Sequence, residues 1–284
     1  MKTRLAIVCL LILTVLNSSA QTKSNFFKTS DGVRIHYLEA GSGKAIVFIP
    51  GWTMPAWIWE KQIAEFSKKY RVIAVDPRSQ GESDRPAYGH LLETRARDYN
   101  ELVEQLKLKQ PVLVGWSLGC GELLKYAEQF GTGNVGGLVL VDGYIPDKFS
   151  PEMFGFMSGW MNQLQQDRRQ QADGFVRSMY KKPQTEDYLN RVVDASIQVP
   201  ADSAALLIYN MIAVKDFSAA FAKVSVPVLF AYQPSTQPSA DLIKAKLGEK
   251  ARLEKFDDAG HALFVDDAEK FNRVLEDFMQ SLSK

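Results

Sequence analysis

Five short stretches of the chain are apolar almost without interruption, at 45–49, 71–75, 112–114, 138–141 and 226–232, and a sixth, more polar stretch at 252–256 reads as a strand with them. A strand with one wet face alternates polar and apolar residues, so unbroken runs of this length are the pattern of strands covered on both faces. Between most of them lie segments with apolar residues at helical spacing, at 57–69, 93–106, 118–130 and 240–247, and a last one follows at 268–282. Ahead of the first run, 26–29 and 33–37 flank the turn Ser30-Asp31-Gly32, which reads as an antiparallel hairpin. Strands alternating with helices predict an α/β fold, a mostly parallel sheet flanked by helices. One interval breaks the alternation. From 142 to 226 the chain is rich in Met, Phe, Gln and charge at helical spacing, which predicts a helical cap inserted after the sixth strand. Such a cap would roof the C-terminal edge of the sheet, where open α/β sheets bind ligands. The expected division is a core of 21–146 and 223–284 with a cap of 147–222.

The first 20 residues read differently. Lys2 and Arg4 precede a 12-residue apolar run at 5–16, and Ser18 and Ala20 stand three and one before a cut after Ala20. This is the layout of a cleavable secretory signal, and the run is short of the ~20 residues that span a bilayer. A secreted or periplasmic protein is expected, with no membrane anchor after cleavage and no Cys at position 21 to carry lipid. Cleavage takes the formal charge from +1 to −1, which leaves no basic excess to attract nucleic acid or an anionic membrane. Of the two cysteines only Cys120 survives it, so stability is expected from the core rather than from an intramolecular disulfide. With 46% hydrophobic residues, a single domain of this length can bury a sizeable core.

Candidate chemistry enters at Gly115-Trp116-Ser117-Leu118-Gly119. This G-x-S-x-G sits between the apolar run ending at Val114 and the helical segment that follows, the strand, sharp turn and helix of a nucleophile elbow. A serine on such a turn has strained backbone geometry, and glycines on either side remove the side chains that would block it. No His-x-x-x-His, Cys-x-x-Cys or clustered carboxylates have metal-ligand spacing, so neither metal nor cofactor is expected.

The order of these motifs resembles the α/β-hydrolase family over about 26–282 apart from the cap. It is carried by Ile49-Pro50-Gly51-Trp52, by Asp76-Pro77-Arg78-Ser79-Gln80-Gly81-Glu82-Ser83-Asp84, by Gly115 to Gly119 and by Gly260-His261. Within the family, Gly51-Trp52 and Leu118-Gly119-Cys120-Gly121-Glu122 are most similar to arylesterases and cofactor-free haloperoxidases. Pro50 stands where the family usually has His, and Ser79 where it usually has Gly.

A serine nucleophile needs a base, and the chain has three histidines. His36 lies in the early hairpin and His90 at the head of a helix, where surface or capping roles are ordinary. His261 alone follows the last strand and precedes the last helix, where a loop can reach back to the elbow, and imidazole can take and return a proton near neutral pH. The resemblance implies an oxyanion hole made by the backbone N–H groups of Trp52 and Leu118. For the acid it implies a carboxylate a few residues past the 226–232 strand, but Gln233-Pro234-Ser235-Thr236 offers none. The next, Asp241, reads as a first-turn acid of the following helix. Some family members carry the acid instead at the end of the strand after the serine helix. That strand ends here in Asp142, the expected acid, with Asp257 and Asp258 as alternatives.

Two readings cover the apolar residues around these motifs. Trp52, Met54, Trp57, Trp116 and the cap residues Met153, Phe154, Phe156, Met157, Trp160 and Met161 either line a substrate pocket or pack as core between cap and sheet. Met54, Trp116, Met157 and Trp160 are the expected pocket residues, and Cys120 is expected to face the sheet. The expectation as a whole is a serine hydrolase acting through an acyl-enzyme on an ester or similar small carbonyl substrate with an apolar portion. Perhydrolysis by the same acyl-enzyme, or a catalytically silent hydrolase fold serving as a binding module, are the alternatives.

Overall fold

The structure is a computed structural model that describes residues 21–147, 151–214 and 216–282, and the side chains among these other than those of 151, 153, 154 and 156. The signal-peptide reading at 1–20 and the Met153, Phe154 and Phe156 side chains of the cap cluster, read as pocket wall or core, therefore lie outside the described residues.

Eight strands form one sheet: β1 Lys23–Lys28, β2 Arg34–Ala40, β3 Ala45–Ile49, β4 Arg71–Val75, β5 Val112–Trp116, β6 Gly137–Val141, β7 Val228–Tyr232 and β8 Ala251–Lys255. Their spatial order is β1-β2-β4-β3-β5-β6-β7-β8. The first hairpin and its junction with β4 are antiparallel, and every other pairing is parallel. β3, β5, β6 and β7 are buried at every position, as their unbroken apolar runs require. Strand periodicity then splits these residues between two cores. Ile46, Phe48, Val112, Val114, Trp116, Val139 and Val141 face one, and Val47, Ile49, Leu113, Leu138 and Leu140 face the other.

Helices α1 Glu60–Phe66, α2 Leu92–Gln105 and α3 Leu118–Phe130 follow β3, β4 and β5. Between β6 and β7 come α4 Pro151–Gln166, α5 Arg168–Ser178, α6 Glu186–Ile197, α7 Ala201–Ile212 and α8 Ser218–Lys223, and the chain closes with α9 Gln237–Leu247, α10 Leu263–Asp266 and α11 Ala268–Ser281. The α2–α3 side covers one face and the α1–α11 side the other, where Trp59 stacks on Phe264 at 3.9 Å between ring centres. A third apolar cluster joins the inserted helices to the sheet edge, with Leu164, Ala204, Leu207 and Ile208 packed around Trp52 and Leu118. Helix α9 begins at Gln237, three residues earlier than its apolar pattern predicts, because Pro238 is tolerated in its first turn. Asp241 is consequently beyond that first turn, exposed, and bonded to Gln237 within its own helix.

Two of the histidines are not surface or capping residues. His36 is buried, with Nδ1 2.7 Å from Asp76 Oδ2 and Nε2 2.8 Å from Ser24 Oγ. Asp76 also accepts the N–H groups of Ala56 and Glu82, so it ties the loops after β3 and β4 together. His90 is buried too, with Nε2 3.0 Å from Ser79 Oγ. Burial, helped by the positive charges of Arg95 and Arg78, pulls its imidazole pKa from 6.5 down to about 4. The folded protein keeps His90 neutral where the unfolded chain protonates it. Its contribution is therefore intact above about pH 6.5, is lost as pH falls, and stops changing below about pH 4. His90→Gln is expected to flatten the acid limb of a plot of unfolding free energy against pH, by a slope of at most about 1.4 kcal/mol per pH unit. An unchanged limb in the folded variant would remove this assignment.

Candidate active site

β5 ends at Trp116 and α3 begins at Leu118, leaving Ser117 alone on the turn with φ 56° and ψ −115°. An L-residue held in that region carries strain that the surrounding structure must impose. The turn is tight enough that a Cβ at Gly115 would lie 2.5 Å from the carbonyl oxygen of Gly119, so only glycine fits there. The Ser117 N–H donates to Val141 O at 2.9 Å, which sets the elbow beside the end of β6.

The next residue after β6 is Asp142, fully buried and itself at φ 46°. Its Oδ2 lies 2.7 Å from Nδ1 of His261, in the loop between β8 and α10. Its Oδ1 accepts the Gln233 N–H at 3.0 Å and the Thr236 hydroxyl. The segment 233–236, where a carboxylate is missing, thus supplies two donors to the carboxylate of the neighbouring strand. With a carboxylate on Nδ1, that nitrogen carries the ring proton in neutral His261, and Nε2 is left as the acceptor. The alternatives are placed elsewhere. Asp257 and Asp258 have side chains 72% and 88% exposed and pair with Lys255 and Lys181.

The loop holding His261 is pinned from three sides. Trp116 Nε1 donates to His261 O at 2.9 Å, Ala262 N donates to Met179 O at the end of α5 at 2.9 Å, and Gly260 N donates to Asp266 Oδ2 at 2.8 Å. Asp266 also accepts from Lys181 N at 2.7 Å and Gln184 Nε2 at 3.1 Å, joining the loop to the segment after α5.

After β3, Gly51 meets the elbow so closely that a Cβ on it would stand 3.1 Å from Ser117 Cβ. Trp52 follows in a turn closed by Met54 N to Gly51 O at 3.2 Å. Among the described residues neither Trp52 N–H nor Leu118 N–H has an acceptor in the protein. Leu118 is the first residue of α3, where an N–H has no intrahelical partner. Two backbone donors therefore flank the serine.

Ser117 opens into a cavity of about 420 Å³. Its walls are Trp52 and Leu118 from the core and Met157, Trp160, Phe175, Ile208, Met211 and Ile212 from the inserted helices, with no charged side chain among the described lining residues. Trp52, Trp160 and Phe175 form an aromatic cluster, with Trp52 4.5 Å from Trp160 and 5.2 Å from Phe175 between ring centres. The Trp52 indole also donates to Ala204 O at 2.8 Å, fastening α7 to the loop after β3.

A family model described as "Alpha/beta hydrolase family" matches residues 46–274. The chain belongs to the α/β-hydrolase family. This hydrolase is 27% identical over 268 residues to the non-heme chloroperoxidase CPO-A1 of Kitasatospora aureofaciens, covering 88% of this chain and 98% of that one. It is 27% identical over 287 residues to the bifunctional esterase/perhydrolase DCH of Acinetobacter calcoaceticus, covering 90% and 99%. Among solved structures it is similar to the esterase EaEST from Exiguobacterium antarcticum, with a TM-score of 0.84, 27% identity and coverage of 91% and 100%.

The pocket of the hydrolase differs from expectation at two residues. Met157 and Trp160 line it, whereas Met54 and Trp116 do not. Alternation along β5 turns Trp116 with Val112 and Val114 toward the α1–α11 core, where its ring meets Phe264 at 4.9 Å. Met54 is fully buried in that same core. Trp57 lies outside the pocket as well, under the Arg191 guanidinium at 3.6 Å. Cys120 is buried, with Sγ 3.1 Å from Gly115 O, and burial raises its thiol pKa well above the ordinary range. The walls that sequence reasoning missed had a signal in α7. Ile208, Met211 and Ile212 recur at i, i+3 and i+4, one helical face.

Proposed function

We propose that this hydrolase is a serine carboxylic ester hydrolase acting through an acyl-enzyme. The observation that carries the reading is the 2.7 Å contact of His261 with Asp142, the residue that follows Val141 where the Ser117 elbow is bonded, together with the apolar cavity that Ser117 lines. Ser117 Oγ attacks the ester carbonyl while His261 Nε2 takes its proton. The negative charge that develops on the carbonyl oxygen meets the Trp52 and Leu118 N–H groups. His261 then returns the proton to the leaving alcohol, leaving the acyl group on Ser117. Water, deprotonated by the same imidazole, attacks the acyl carbon and frees the acid. Asp142 fixes the ring's tautomer and stabilises the imidazolium formed in each step.

The uncharged walls favour an uncharged, apolar portion of the substrate, since a charge moved there would lose its hydration without a partner. Trp160→Ala enlarges the cavity, of which Trp160 is one wall. It is expected to move the acyl-length optimum across a series of p-nitrophenyl esters to longer chains while labelling of Ser117 by a small phosphonate stays within about threefold. An unchanged optimum would assign Trp160 to packing alone. The same ester series tests the activity itself, through saturable release of p-nitrophenol that requires Ser117.

Perhydrolysis is the second reading, supported by the names of the two curated relatives. Hydrogen peroxide replaces water as attacking group on the acyl-enzyme, so the products are a peracid and free Ser117. A peracid trap added to the ester assay with peroxide separates the two fates of the acyl group. Export also stays a proposal, supported by Lys2, Arg4, the 5–16 apolar run and Ala20.

A further inference from the structure

The two N–H groups proposed to meet the oxyanion belong to separate pieces of chain, Trp52 to the loop after β3 and Leu118 to the start of α3. Backbone donors stabilise developing charge only if their separation is fixed beforehand. The loop makes no regular secondary structure between Gly51 and Pro55, so its position depends on the Trp52 and Thr53 side chains, bonded to Ala204 O and Ser196 Oγ, and on what holds its carbonyls.

One side chain holds them on either side of Trp52. Gln80 Nε2 donates to Gly51 O at 3.0 Å and to Met54 O at 2.7 Å. Its Oε1 accepts from Arg95 Nη2 at 2.8 Å. Arg95 Nε stands 3.0 Å from Glu122 Oε1, and the Tyr99 hydroxyl donates to Glu122 Oε2. Glu122 lies on α3 four positions after Leu118, one turn along the same helix. Gln80 and Glu122 are fully buried, and Arg95 and Tyr99 are 1% exposed. The connection therefore runs from one donor's loop to the other donor's helix through groups buried from bulk solvent.

We propose that Gln80 is a positioning residue for the oxyanion hole, bridging the Trp52 loop to the Ser117 helix through Arg95 and Glu122. The primary amide suits the task. Its nitrogen carries two donors for the two carbonyls, while its oxygen accepts from the guanidinium, a set that neither a carboxylate nor an ammonium provides. A buried carboxylate at 80 would face two carbonyl oxygens, and an apolar residue would leave Met54 O without its donor and Gly51 O with the Met54 N–H alone. The role rests on the serine-hydrolase reading above and extends it to a residue that touches no reacting atom.

The test compares wild type with Gln80→Met, which keeps length and loses the hydrogen bonds, and with Glu122→Gln, which keeps shape and loses the charge facing Arg95. Three quantities are read: kcat and KM on a p-nitrophenyl ester, the Ki of a trifluoromethyl ketone, and the Ki of the corresponding secondary alcohol. The ketone accepts Ser117 Oγ at its carbonyl carbon, with the serine proton passing to His261, and so presents an oxyanion. The alcohol fills the cavity without reacting. In Gln80→Met kcat is expected to fall roughly tenfold to a hundredfold, less than the 10²–10³ typical of losing a donor outright, because the Trp52 N–H is displaced rather than removed. KM and the alcohol's Ki should move less than about twofold, and the ketone's Ki should rise by the same factor as kcat falls, as for an interaction made only in the transition state. Glu122→Gln should show the same pattern with a smaller amplitude, and it carries the test if Gln80→Met does not fold. Unchanged ketone affinity in the folded variants, or equal weakening of ketone and alcohol, overturns the positioning role. A wild-type protein that forms no adduct with the ketone overturns the serine reading, and the Gln80 role with it.

Discussion

Asp142→Asn is expected to lower turnover by about four orders of magnitude, the loss typical of removing the acid from a serine triad, without unfolding the protein. The carboxylate's Oδ2 meets the Nδ1 proton of His261 at 2.7 Å. An amide turned to satisfy the Gln233 and Thr236 donors with its oxygen presents N–H to Nδ1 and drives the ring proton to Nε2. The imidazole can then no longer accept from Ser117, and the imidazolium loses its counter-charge. The backbone gives no reason to unfold, because asparagine tolerates the φ of 46° at this position as readily as aspartate. Parallel changes at Asp241, Asp257 and Asp258, which are exposed and bonded elsewhere, are expected to stay within about twofold of wild type. Ester turnover read beside thermal melts decides it. Near-normal turnover in a folded Asp142→Asn variant would assign the acid elsewhere.

The contact between Asp142 and His261 is legible in the sequence for a physical reason. In parallel sheets the strand ends converge on one edge, so a carboxylate closing β6 and a histidine after β8 arrive at the same place as the serine that closes β5. The empty position after β7 narrows the choice further. What that segment does instead is not legible. Gln233 and Thr236 read as turn residues, and only the folded chain shows their donors aimed at Asp142. The two misplaced pocket residues have a related cause. Periodicity says that Trp116 is buried, but it does not say which face of β5 carries core and which end opens to a cavity. His36 and His90 escape sequence reasoning because their burial depends on Asp76 and Ser79. Sequence distance carries no information about the first of these, a contact 40 residues apart. Gln80 belongs to the same class, since its two carbonyl partners lie in a different loop.

Ser117→Ala carries the largest expected effect. Removing the nucleophile of a serine triad typically costs about 10⁶ in turnover, with a residue of catalysis left by the oxyanion donors and binding alone. Folding should change little, because Ser117 is bonded within the protein through its backbone N–H to Val141 O rather than through its hydroxyl. Alanine inherits the same strained φ of 56° that serine already carries, so stability is expected to stay within about 1 kcal/mol of wild type while activity is lost. A variant that keeps its ester activity would move the chemistry off the elbow altogether.

The central claim is that Ser117 is a nucleophile activated by His261 and Asp142, and intact-protein mass spectrometry after exposure to a fluorophosphonate tests it most directly. Wild type is expected to gain the mass of one phosphonyl group within minutes, on the peptide containing Ser117, while Ser117→Ala gains none and Asp142→Asn gains it far more slowly. Equal modification of wild type and Ser117→Ala, or a single adduct on another residue, would contradict it.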